Sequence, residues 1–269
     1  MFKLTLSMFI DTHAHVYSEE FESEINDIIF RAQNKNVKYI LLPNIDVSCI
    51  EEMENVVRQF SNCIPMMGLH PCYVREDWEK QLEFIREKLF KSPERYCALG
   101  EIGMDLHWDT QFCEEQKIVF RKQIHWAKEL NLPIAIHCRK AFDEIFEILD
   151  EENSANLTGV FHCFNGNIDR ARHILKYEGF KLGIGGVVTY KKSDLPEVLK
   201  QIDLKHIVLE TDAPYLSPVP FRGKRNESSY IPIIAEKLAE IYDCSVSEIA
   251  EKTTQNAINI FKLEKFGLK

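Results

Sequence analysis

The stretch Phe9-Ile10-Asp11-Thr12-His13-Ala14-His15 carries the first chemistry in the chain. Read as a strand, it projects Asp11, His13 and His15 to one face, because side chains alternate with a period of two. Two imidazoles spaced this way reach a single cation. A His-x-His pair is by itself more often structural or solvated than metal-binding, so the reading needs ligands from elsewhere. His70, Glu101, His137, His162, Glu210 and Asp212 are candidates, each following an apolar run.

Those runs define the elements. Apolar segments near residues 9, 39, 64, 97, 134, 159, 181 and 207 read as strands. Amphipathic segments alternate with them over 21–34, 48–60, 78–90, 111–130, 141–150, 168–177, 195–202 and 228–242. Ser245-Val246-Ser247-Glu248 has the form of a capping box opening a last helix to about Phe261. Strands alternating with helices imply a parallel sheet, and eight such units in this length predict an α/β fold closed as a (β/α)8 TIM barrel. An open doubly wound sheet is the second choice, but the first strand ends in His-x-His and not in a Gly-x-Gly-x-x-Gly loop. In a barrel the strand ends share one mouth, which gathers the candidate ligands. Strand parity puts Leu99, Glu101 and Gly103 on one face, Ala135, His137 and Arg139 on another such face, and Val160 with His162 on a third. Cys138 and Cys163 then face the helices as packing residues.

The chain has 269 residues, 45% of them hydrophobic and 28% charged. That suits one domain over 1–269, with residues 1–7 as a possible N-terminal extension and Met8 as a second candidate start. Residues 1–7 hold too short an apolar run for a signal peptide, and no segment approaches the roughly 20 apolar residues of a membrane span. The eight cysteines show no Cys-x-x-Cys spacing, as expected for free thiols in a cytoplasmic protein. A net charge of −9 argues against broad, passive binding of nucleic acid but not against an enzyme that grips phosphates locally. Arg222, Lys224 and Arg225 form one dense basic loop after the last strand.

Imidazoles and carboxylates around one mouth outnumber the four ligands of a closed structural zinc site, which points to a catalytic centre with open positions. A carboxylate such as Glu101 can bridge two cations. Two ions roughly 3.5–4 Å apart would clamp the attacking and leaving oxygens of a hydrolysed ester. Mixed nitrogen and oxygen donors suit Zn²⁺, Mn²⁺, Fe²⁺ or Mg²⁺.

Seven motifs in order resemble the TatD-type metal-dependent deoxyribonucleases, a branch of the amidohydrolase-like TIM barrels. They are Phe9 to His15, Gly68-Leu69-His70-Pro71, Gly100-Glu101-Ile102-Gly103-Met104-Asp105, His137-Cys138-Arg139, His162-Cys163-Phe164-Asn165-Gly166, Glu210 to Leu216, and Arg222 to Glu227. The resemblance implies a hydrolase of DNA phosphodiesters acting from the 3′ end with a hydroxide activated between two divalent metal ions. It implies that His13, His15, Glu101 and Asp212 hold one cation, and Glu101, His137 and His162 the second. On this reading Asp212 takes the proton of water, His70 and Arg139 contact phosphate oxygens, and Tyr215, Arg222 and Arg225 contact single-stranded or frayed DNA. Glu210, Asp11 and Asp105 stand behind the ligands. Met104 and Ser228 depart from the usual Leu and Pro without touching a ligand. Two other readings share the metal site: a deacylase of mischarged aminoacyl-tRNA or other amide and ester hydrolase, and a non-catalytic metal-dependent binding protein.

Overall fold

The computed structural model describes residues 8–108 and 110–268, so the expected extension over residues 1–7 lies outside the described residues. All eight expected strands form: β1 Phe9–Asp11, β2 Val37–Leu42, β3 Cys63–Pro65, β4 Leu99–Asp105, β5 Ile134–Arg139, β6 Gly159–Phe161, β7 Phe180–Ile184 and β8 Ile207–Leu209. Nine helices accompany them among the described residues: α1 Ile25–Asn34, α2 Ile50–Gln59, α3 Trp78–Lys91, α4 Cys113–Leu130, α5 Phe142–Glu152, α6 Ile168–Leu175, α7 Leu195–Leu199, α8 Ile231–Tyr242 and α9 Val246–Phe261. The expected first and eighth helices begin late, because Glu19–Phe21 and Ser228–Tyr230 are short 3-10 turns ahead of α1 and α8. The N-cap half of the expected capping box is present: Ser245 Oγ accepts from the Glu248 amide at 3.1 Å.

The strands pair in parallel and in chain order, β1 to β3 in one run and β4 to β8 in another. Two seams close them into a (β/α)8 barrel. Cys97 N donates to Pro65 O at 3.0 Å and Gly100 N to Met67 O at 3.1 Å, joining β3 to β4. Thr12 N donates to Leu209 O at 3.0 Å and Asp212 N to His13 O at 2.9 Å, joining β8 to β1. Both seams bring segments that carry candidate ligands directly into the wall.

One buried cluster fills the barrel, drawing Ile10, Leu41, Ile64, Ala135, Val160 and Val208 from different strands. The same cluster takes Ala257, Ile258, Ile260, Phe261 and Leu263 from α9 and the turn after it. So α9 is the floor. It is stitched there by side chains that donate to carbonyls at the strand starts: Thr254 Oγ1 to Met8 O at 2.8 Å and Asn256 Nδ2 to Ile207 O at 2.7 Å. Phe261 is 1% exposed within this cluster. Phe261→Ala is expected to remove about 3–5 kcal/mol of stability, read as a lowered urea midpoint, while the folded protein keeps its metal-binding capacity at the opposite mouth.

Candidate metal centre

The mouth is built around Glu101. Between Leu99 and Ile102 the register of β4 against β5 shifts, and the Glu101 amide donates to Asn44 O at 2.9 Å instead of to β5. Bulges of this kind re-aim side chains. This one breaks the expected parity, since Leu99 packs among the outer helices while Glu101 faces the mouth. Asn44 is itself fixed by Nδ2 donating to Gly68 O at 2.8 Å.

Glu101 is buried, and each of its oxygens meets a different set of histidines. Oε2 lies 3.1 Å from His13 Nε2 and 3.6 Å from His15 Nε2. Oε1 lies 2.7 Å from His137 Nδ1, 3.4 Å from His70 Nε2 and 3.7 Å from His162 Nε2. Asp212 completes the ring, with Oδ1 3.6 Å from His15 Nε2 and 3.7 Å from His162 Nε2. Within this ring, three-residue sets with ligand atoms all inside 4.8 Å include His13–His15–Asp212, His13–Glu101–His162 and His70–Glu101–His137. The six expected ligands and His70 therefore meet at one place.

His13 and His15 reach it from a loop and not from a strand. β1 stops at Asp11, whose buried carboxylate accepts from Thr211 N at 2.9 Å, Thr211 Oγ1 at 2.6 Å and His13 N at 3.3 Å. Past that point the chain pairs with the segment after β8 through a bridge between Ala14 and Ala213. Tyr17, which the sequence reading did not select, sets the orientation of His15. Its hydroxyl donates to Pro43 O at 2.5 Å, so its oxygen accepts from His15 Nδ1 at 3.1 Å. The lone pair of His15 is then on Nε2, facing Glu101 and Asp212. Tyr17 continues the alternation of His13 and His15, which was the available signal. His70 likewise lies five residues beyond β3; its Nδ1 accepts from Cys72 N at 3.1 Å, leaving the hydrogen on Nε2.

Groups behind the ligands fix the rest. Asp105 Oδ2 meets His137 Nε2 at 2.8 Å, and Glu210 Oε1 lies 3.0 Å from His162 Nδ1 while accepting from Cys163 N. Gly103 has φ +138° and stands where a Cβ would come within 2.1 Å of the His137 carbonyl, so β4 passes β5 closely at that ligand. Two glutamines of α4, seven residues apart and buried, grip one mouth loop and the end of β4 from outside. Gln123 accepts from Leu69 N at 2.8 Å and donates to Leu69 O at 3.2 Å. Gln116 does the same to Asp105, at 2.9 and 3.2 Å. Asn226 donates to Thr211 O at 2.7 Å and Tyr215 O at 2.6 Å, stapling the Asp212 loop.

Charge at the mouth is strongly negative. Burial opposes ionisation of Glu101, yet the imidazoles of His70, His13 and His162 hold its carboxyl well below the usual range. Asp212 is likewise held low by His162 and His15 against the effect of burial. Burial would lower His162 and His137, but the carboxylates outweigh it, raising His162 to about 10 through Glu210 and Asp212 and His137 to about 9 through Asp105 and Glu101. Burial leads the opposite result at His13 and His70, which are shifted down. A field that retains protons on two buried imidazoles suits divalent cations in their place. Imidazole and carboxylate donors at these spacings fit such ions.

The centre opens into a cavity of about 1580 Å³, also lined by Arg139 and Tyr215. Arg222 and Arg225 are not among its lining residues. Arg222 covers the Tyr190 ring at 4.6 Å, and Arg225 is paired with Glu24 at 2.9 Å above Phe21. Glu227 of the same motif holds Arg31 through contacts of 3.0, 3.1 and 2.6 Å. Both Cys138 and Cys163 border the cavity, but Cys138 also packs against the hydrophobic core on the helix side, as expected of it, whereas Cys163 joins no apolar cluster, contrary to the packing role expected of it. The reason at Cys163 is that β6 ends at Phe161 and Cys163 turns left-handed, with φ 47°, so strand alternation no longer applies. Burial and the nearby Asp212 push its thiol up, leaving it protonated and unreactive.

The family model described as TatD related DNase matches residues 10–262. The chain belongs to the TatD family of metal-dependent hydrolases. Among curated TatD relatives, the uncharacterized metal-dependent hydrolase YabD of Bacillus subtilis is 39% identical over 257 residues, covering 95% of this chain and 100% of the relative. YcfH of Escherichia coli, of the same description, is 29% identical and covers 97% of this chain and 98% of its own. The crystal structure of YjjV, a TatD homolog from Escherichia coli, superposes with a TM-score of 0.89 at 28% identity, over 94% of this chain and 98% of the other. No helix among the described residues is long and apolar enough to cross a membrane.

Two outcomes follow from the geometry. If His137 and His162 hold a cation, it displaces their protons, and apparent metal affinity is then expected to rise with pH up to about 9–10. Chelator competition measures it, and a flat profile contradicts the charge assignment. In Gly183→Ala the new Cβ would fall 2.2 Å from Glu210 Oε2, pushing that carboxylate off His162. Metal affinity should drop by about 10–100-fold, as for other groups behind a ligand, with an unchanged circular dichroism spectrum.

Proposed function

We propose that the chain is a deoxyribonuclease that hydrolyses DNA phosphodiesters from a 3′ end, on single-stranded or frayed DNA, and that the whole chain serves as one catalytic domain in the cytoplasm. The observation that carries this reading is a single buried carboxylate, Glu101, with its two oxygens turned to two groups of imidazoles at the head of a cavity that Arg139 also lines. Eight free cysteines, two of them buried, agree with a reducing compartment.

His13, His15, Glu101 and Asp212 would hold one divalent cation, and Glu101, His137 and His162 a second. Bound there, such ions supply positive charge against the phosphate and acidify a water molecule. The side chains do the rest. Asp212, kept ionised by the surrounding imidazoles, orients that water at Oδ1 and accepts its proton. His70 stays neutral because burial lowers its pKa, and presents Nε2–H as a donor to a phosphate oxygen. Arg139 offers a planar fork suited to two phosphate oxygens. Glu210 and Tyr17 keep His162 and His15 turned toward the centre.

A metal-titrated nuclease assay on single-stranded and duplex DNA, with each 3′ end free or blocked, tests the reading. Free 3′ ends should be degraded and blocked ends spared. His137→Ala and His162→Ala should each lose bound metal and lower turnover by more than the roughly 10–100-fold typical of groups behind a ligand, with the fold intact. Full activity in either variant rules out the shared-carboxylate scheme. Release of an amino acid from acylated tRNA without DNA cleavage would replace it with the ester-hydrolase reading.

A further inference from the structure

Trp108 is 69% exposed, the largest value for a big apolar side chain among the described residues. An indole left in water forfeits the burial that normally dominates its energetics, so one standing at the lip of a cavity needs a physical reason. Trp108 lines the same cavity as the metal centre, with Arg139 beside it. The Arg139 guanidinium carbon stands 4.9 Å from the centre of the indole ring, and the His107 ring meets it edge-on at 4.8 Å.

This loop is tied to the centre by short links. Asp105 contacts His137 at 2.8 Å, and the next amide, Leu106 N, donates to Arg139 O at 2.9 Å. Trp108 comes three residues after Asp105, so its Cα lies within about 11 Å of that of Asp105. The indole is therefore held by a cation close to the ligands while most of its surface stays open. Charge across the cavity is of the opposite sign, because Glu19, Glu20, Glu22 and Glu52 line that side. A polyanion leaving the centre is repelled from those carboxylates and drawn toward Arg139.

We propose that Trp108 and Arg139 form a nucleobase subsite: the base of the nucleotide next to the cleaved bond stacks on the indole, and the guanidinium takes its phosphate. Stacking accepts any base, because every base has a π-face, so the subsite confers a preference for unpaired ends without reading sequence. The proposal rests on the nuclease reading for its choice of substrate and adds the residue that grips it.

The test uses metal-loaded protein and two substrates, a short single-stranded oligonucleotide and bis(p-nitrophenyl) phosphate, which has no base. Trp108→Ala should lose about tenfold more in kcat/KM on the oligonucleotide than on the small diester, mainly through KM, and Trp108→Phe should recover most of it. Removing the terminal base from the oligonucleotide should cost the wild type a similar factor and cost Trp108→Ala little more. Titration with dAMP should quench tryptophan fluorescence in the wild type and in Trp78→Phe but not in Trp108→Ala. Equal losses on both substrates, or quenching that survives Trp108→Ala, would overturn the subsite. Quenching lost in Trp108→Ala without any DNA cleavage by the wild type would sink the nuclease reading and leave the subsite standing.

Discussion

A carboxylate buried among imidazoles is the constraint on which the mouth of this barrel depends. Glu101 can stay ionised in the interior only while positive or donating groups surround it, since an unpaired buried charge is costly. The chain meets that demand from four separate segments, the loops after β1 and β3, β5 itself and the residue after β6, and three of them do so past the end of a strand. β4 slips register to turn Glu101 inward, and β1 ends early so that the segment carrying His13 and His15 can pair with the one carrying Asp212. The barrel seams and the metal centre are made by the same backbone contacts.

Much of this was legible in the sequence because a barrel reports itself locally. Eight apolar runs alternating with amphipathic ones located every strand, and each ligand follows such a run. Ser245 opened α9 where its hydroxyl and the following Glu248 placed it. What escaped was whatever alternation could not carry past a strand end. Cys163 was assigned to the helix side by parity, yet a left-handed residue reverses that side. His13 and His15 share a direction for a reason other than strand pleating. Arg225 reads as a free cation in a basic loop, but Glu24, two hundred positions away, takes it. Such pairings are set by tertiary proximity, and nothing local encodes them.

The opposite pole of the molecule answers to different physics. At the floor, α9 contributes aliphatic and aromatic bulk to the barrel interior and satisfies carbonyls at the strand starts. At the mouth, most polar groups are paired with one another and with the loops behind them, while Asn44 Oδ1 and Glu210 Oε2 are buried without a hydrogen-bond partner. The separation lets the interior be dry at one end and strongly polar at the other, with the hydrophobic layers of the strands between.

The two amides of α4 have a consequence of their own. Gln123 clasps the main chain of a mouth loop at Leu69 and Gln116 that of Asp105, where β4 gives way to the next loop, and neither bonds the side chain there. A loop gripped by its peptide group keeps its place whatever residue it displays at that point. Descendants of such a scaffold can therefore trade the outward-facing residues of those loops, and with them the molecules accepted, without re-solving the problem of where the loops belong.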